Sequence, residues 1–128
     1  MRTFAALLLT LALSGCASIM DLIPSFNDPN QSASIVNVQQ SIENIDCQKD
    51  QLPQARNVQQ QLQWFELYSR SKGRQNDVLR IVEPMHETVS DWVKRSEDKQ
   101  GTEAYCKIKK KILQQQSATA AKAVLGRF

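Results

Sequence analysis

The chain is poor in the residues that most active sites are built from. It has one histidine and four glycines in 128 residues. His86 is followed by Glu87, then Thr88, Val89 and Ser90, so no second histidine completes a His-Glu-x-x-His zinc motif. Ser90 lies one helical turn from His86 with Asp91 beside it, but a catalytic triad needs its members aimed at one another from separate elements. The glycines are scattered at Gly15, Gly73, Gly101 and Gly126, which excludes a phosphate-cradling loop. Acidic neighbours such as Glu83 with Glu87, or Glu97 with Asp98, sit among Lys94, Arg95 and Lys99, the pattern of a solvated helix face. Sixteen basic residues against 13 acidic ones leave a net charge of +3, too little for a nucleic-acid footprint. The sequence therefore predicts no enzyme, cofactor, metal site, nucleic-acid partner or small-molecule substrate.

A long apolar run is also missing. The longest, from Phe4 to Leu13, is about half of the roughly 20 residues that a membrane-spanning helix needs. It follows a single basic residue, Arg2, and ends in small residues at Ser14 and Gly15, the layout of a secretory signal peptide over residues 1–15. Its end, Leu13-Ser14-Gly15-Cys16, resembles the lipobox of bacterial lipoproteins. That resemblance implies diacylation of the Cys16 thiol, cleavage before it and acylation of the new amine. Ala17, where an Asp would favour inner-membrane retention, points to the outer membrane, with the chain facing the periplasm. Each buried lipid methylene contributes about 0.8 kcal/mol, so two or three acyl chains would hold the protein permanently. The alternative is an ordinary secreted protein with a spare cysteine.

With Cys16 lipidated, Cys47 and Cys106 remain for an oxidising compartment, and a disulfide between them is expected. Two buried thiols are the alternative. Closing a loop of about 60 residues would stabilise the fold by roughly 4 kcal/mol.

Residues 16–33 hold Pro24, Asn27, Asp28, Pro29 and Asn30 and are read as a flexible tether, although Ile19, Met20, Leu22, Ile23 and Phe26 would also suit a membrane surface. Residues 34–116 are predicted to be an all-α, antiparallel four-helix bundle, and 117–128 a C-terminal tail. The first helix places Ile35, Val38, Ile42 and Ile45 on one face. The second starts after Asp50, tolerates Pro53 in its first turn, turns Ala55, Val58, Leu62 and Phe65 inward and stops near Gly73. Trp64, Leu67 and Tyr68 widen its apolar stripe. A third, capped by Asn76 or Asp77, spaces Val78, Val82, Met85, Val89 and Trp92 along one side, with a kink or break expected near Arg80 to Glu83 because of Pro84, or a short strand over Val78 to Val82. The fourth, capped by Thr102, carries Ala104, Ile108, Ile112 and Leu113. In this topology the end of the first helix and the start of the fourth coincide, where Cys47 and Cys106 sit.

Two basic groups stand out. Arg70, Lys72 and Arg74, with Arg80 nearby, surround the second connection at the end nearest the tether and are candidates for a membrane surface. Lys107, Lys109, Lys110 and Lys111 suit an acidic partner or a solvated face; Lys107 and Lys110 are the candidates taken forward. The aromatic residues Trp64, Phe65, Tyr68 and Trp92 suit core packing first; the alternative is an apolar groove between the second and third helices, with Trp64, Tyr68, Val89 and Trp92 as candidates for holding a partner helix.

Lipid, bundle and disulfide together resemble the small helical pilotins that escort the secretin of type II secretion systems, four-helix lipoproteins with a first-to-last-helix disulfide. The local likeness is Cys47-Gln48-Lys49-Asp50-Gln51-Leu52-Pro53, and the architectural one spans residues 34–113. It implies a groove near Trp64 and Val89 that holds a C-terminal secretin segment. The function expected is a non-enzymatic interaction or assembly protein of the cell envelope, with pilotin-like targeting as the alternative.

Overall fold

The computed structural model describes residues 26–127, so the expected signal peptide, the expected lipid site at Cys16 and most of the expected tether lie outside the described residues. Four α-helices follow one another: α1 Pro29–Glu43, α2 Gln51–Lys72, α3 Asn76–Glu97 and α4 Glu103–Leu125. Each helix packs on its neighbours in the cyclic order α1, α2, α3, α4, with α4 returning to α1. The connections are short, and the Cys47–Cys106 disulfide, Cα atoms 5.6 Å apart, ties the segment after α1 to the first turn of α4. This is the antiparallel bundle that the apolar spacing requires. No strand occurs among the described residues, and none of their helices is long and apolar enough to cross a membrane.

The core is drawn from the faces read in the first three helices. Ile35, Val38 and Ile42 from α1, Ala55, Val58, Leu62 and Phe65 from α2, and Val78, Val82, Met85, Val89 and Trp92 from α3 are all at most 1% exposed. Asp50 and Thr102 cap α2 and α4 through their side chains, and Gly73 ends α2 at a positive φ of 71°. Helix α3 differs: its cap position is Gln75, without a side-chain cap bond.

Three boundaries differ from the sequence reading. Helix α1 begins at Pro29, inside the expected tether, because Asp28 accepts hydrogen bonds from the amides of Asn30 and Gln31 and Pro29 needs no partner in the first turn. Helix α3 runs unbroken through Pro84, which lies on the exposed face while Val82 and Met85 beside it are fully buried. The carbonyl that loses its donor there belongs to Arg80, an exposed residue. Helix α4 extends through the expected tail to Leu125, burying Ser117, Ala120, Ala121 and Val124. Its core face keeps the expected Leu113 but otherwise differs in phase: Ala104 and Ile108 are exposed, Ile112 is half-buried, and Cys106 points inward.

Candidate interaction surface

The bundle end where α1 begins and α2 and α4 finish is closed by side chains rather than by apolar packing. Gln31 of α1, fully buried, donates through Nε2 to Ser69 Oγ at 2.8 Å and to Gln75 Oε1 at 3.0 Å. Its Oε1 accepts from Arg127 Nη2 at 2.8 Å, beyond the last turn of α4. Ser69 in turn donates to the Phe65 carbonyl. Burial pushes the Arg127 guanidinium below its ordinary range, opposed by the charges of Asp77 and Asp28. Four segments thus meet in one satisfied polar cluster, and a fully paired cluster of this kind fixes geometry.

Asp28 is the second knot at this end. Its carboxylate caps α1, pairs with Lys72 and accepts from the Tyr68 hydroxyl at 3.2 Å. The Lys72 hydrogen bond, followed by the two cap amides, holds the Asp28 carboxyl down at about 2 against an ordinary 3.8, with burial opposing. Because the folded-state value is depressed, this contribution is complete above about pH 4 and lost as pH falls through 2. Asn caps helices about as well as Asp. Asp28→Asn is therefore expected to flatten the pH dependence of the melting temperature between pH 4 and 2 while α1 stays helical; an unchanged acid profile would show the pair to be inert.

The Tyr68 ring, held by Asp28 and by the Asn30 amide, stacks on Trp64 with centroids 5.2 Å apart and planes 7° from parallel. Trp64 is 51% exposed and Leu67, one helical turn on, 65%. These residues form a fixed apolar strip on the outer side of α2, backed by α1. Trp64 and the half-buried Tyr68 thus stand together on this strip. Val89 and Trp92 are not part of it: both are fully buried, and Trp92 Nε1 donates to Gln51 Oε1 at 3.0 Å near the opposite end. The groove expected between Trp64 and Val89 is filled by the core. The α3 register places Trp92 inward in one row with Val78, Val82, Met85 and Val89.

Gln51 also donates to the Gly101 and Thr102 carbonyls, and a Cβ on residue 101 would lie 2.8 Å from its Oε1. A side chain at 101 would therefore push the Gln51 amide aside.

The lysines of α4 are largely engaged within the domain. Lys107 pairs with Glu103, and Lys110 donates to the Ile45 carbonyl at 2.8 Å. Lys109 pairs with Asp91 at 2.7 Å, which also accepts from the Tyr105 hydroxyl. The Lys109 and Tyr105 bonds hold the Asp91 carboxyl below its usual range; burial, then Asp91, pushes the Tyr105 phenol up to about 12. Arg95 lies 4.8 Å over the Tyr105 ring. The Asp91, Tyr105, Lys109 and Arg95 contacts join α3 to α4, and Lys110 ties α4 to the segment after α1, whereas the Lys107 pair stays within α4 and is exposed.

Arg70, Lys72 and Arg74 lie at the bundle end where α1 begins, but Lys72 is committed to Asp28. His86 Nδ1 lies 3.1 Å from Oε1 of Glu66, a buried α2 carboxylate that the sequence reading did not single out. They line an open cleft of about 580 Å³ with Arg70, Asn76, Leu79, Arg80 and Glu83, a lining without a serine, threonine or cysteine nucleophile. Among the described residues no group of three or more His, Cys, Asp or Glu side chains could hold a metal. No protein family, curated protein or solved structure matches this chain.

Proposed function

We propose that this protein is a lipid-anchored, non-enzymatic interaction protein of the bacterial envelope, attached to the outer membrane through Cys16 and facing the periplasm. The anchor rests on the Leu13-Ser14-Gly15-Cys16 sequence behind a short apolar run. The working surface rests on one observation: Trp64 and Leu67 stay exposed on a helix whose other large apolar residues are mostly buried, while Tyr68 braces the tryptophan against α1. A rigid aromatic that loses little freedom on binding is an efficient anchor for a partner segment.

Pilotin-like targeting is the second reading, favoured by the disulfide that links the end of α1 to the start of α4. A secretin segment would then lie along the α2 strip, since Val89 and Trp92 are enclosed.

Crosslinking in intact cells, followed by recovery of the tagged protein and mass spectrometry, tests both. A specific envelope protein should be recovered with the natural chain, and Trp64→Glu should reduce that recovery at least tenfold at unchanged protein level, about the effect of one modest hot spot. A secretin subunit among the products selects the pilotin reading. Equal recovery with Trp64→Glu would remove the strip from the binding surface, and no crosslinked partner would end the interaction reading.

A further inference from the structure

We infer that the bundle end formed by the start of α1, the α2–α3 connection and the end of α4 is a docking face for a membrane surface rich in anionic lipid headgroups. The inference deepens the anchored-protein reading, on which the position of the membrane rests. It concerns a different surface from the Trp64 strip: Trp64 lies eight residues before the end of α2, about 12 Å up the helix.

Charge is the first argument. Arg70, Arg74 and Lys122 make no ion pair or side-chain hydrogen bond among the described residues, and all are exposed at or near this end. Its acidic groups are turned to internal use: Asp28 is held by Lys72 and Tyr68, and the Asp77 charge acts on Arg127. What remains for solvent is positive. The opposite end instead mixes Asp46, Asp50 and Asp98 with Lys49 and Lys99.

Apolar exposure is the second. Phe26, just before the Asp28 cap, is 76% exposed, and Leu125, the last residue of α4, is 48% exposed. Both belong to the bundle end that carries the free cations. An aromatic and an aliphatic residue among basic side chains suit the boundary between headgroups and acyl chains.

The third is where the described chain begins. Phe26 is ten residues from Cys16, and an extended chain covers at most roughly 3.5 Å per residue, so a lipid on Cys16 would hold this end within about 35 Å of the bilayer. The polar cluster of Gln31, Ser69, Gln75 and Arg127 gives that end a fixed shape. The connection itself runs through two successive left-handed residues, Gly73 at φ 71° and Arg74 at φ 54°. Docking there would set the bundle axis upright and leave the α2 strip free for a protein.

The connection supplies its own reporter, since trypsin cuts after Lys72 and Arg74, while Lys99 marks the opposite end. The purified lipoprotein is reconstituted in phosphatidylcholine vesicles with and without phosphatidylglycerol, and cleavage at both ends is followed by mass spectrometry. Three free basic residues, each worth about fivefold in partitioning near an anionic surface, should slow cleavage after Lys72 and Arg74 at least tenfold on phosphatidylglycerol vesicles. High salt should reverse the protection, and Lys99 should be cut equally throughout. Arg70→Glu with Lys122→Glu should abolish protection without changing the melting temperature. Equal cleavage on both vesicle types overturns the inference, as does protection that ignores salt or appears only in cells, where a protein would be the cover. An N-terminal peptide without acyl mass would sink the anchor alone. Salt-sensitive co-sedimentation of that chain with phosphatidylglycerol vesicles would then still support the face, and its absence would overturn it.

Discussion

Reducing the Cys47–Cys106 disulfide is expected to lower the melting temperature by roughly 15–30 °C. The bond closes a loop with a sequence separation of 59 residues that contains all of α2 and α3. Constraining so long a loop in the unfolded chain contributes about 4 kcal/mol, and in a domain near 100 residues each kcal/mol moves the midpoint by about 4–8 °C. The folded state gains little when the bond is removed, because Cys106 is fully buried and the helices on either side are held by other contacts, among them the Lys110 hydrogen bond to the Ile45 carbonyl. The same drop should follow from replacing both cysteines with serine. Thermal unfolding with and without reductant measures it, and a shift of only a few degrees would mean that the reduced chain is already constrained by residual structure. A drop of that size would make the folded chain sensitive to the redox state of its surroundings.

The first three helices were legible because their core positions are large or branched apolar residues at helical spacing. Val78, Val82, Met85, Val89 and Trp92 form such a row, and all five are fully buried. Helix α4 was read in the wrong phase because its most apolar residues, Ile108 and Ile112, are not its most buried ones. The expected disulfide held the correction: once Cys106 faces inward, Leu113 follows two turns on, then Ser117, Ala120 and Val124 at four-, three- and four-residue steps, and Ile108, two residues from Cys106, turns outward. Small residues give a weak hydropathy signal, so the buried Ser117, Ala120 and Ala121 looked like a tail. Their helix is favoured by alanine's propensity and closed by Arg127 at Gln31. Asp28-Pro29 was a readable start signal, outweighed by the prolines and asparagines around it. The polar cluster at the bundle end where α1 begins could not be read from spacing, since Gln31, Ser69, Gln75 and Arg127 are ordinary surface residues by type and meet only through the packing of four segments.

The two tryptophans should separate stability from binding. Trp92→Ala is expected to cost about 3–5 kcal/mol, because it empties a fully enclosed site between α3 and its neighbours and leaves Gln51 Oε1 without its donor. Trp92→Phe keeps most of the packing and should lose about 1 kcal/mol beyond its small volume change. Trp64→Ala removes a ring that is half in water and stacked on one side only, so a change within about 1 kcal/mol is expected. Trp64 lies one position off the row Val58, Leu62, Phe65 that faces the core, and the difference in register rather than in residue type sets the two outcomes apart. Denaturant midpoints for the three variants, read beside partner recovery in cells, give the test. Loss of recovery with Trp64→Ala at native stability assigns the strip to binding. A loss of stability as large as that of Trp92→Ala would make Trp64 a structural residue and take away the observation on which the proposed interaction surface rests.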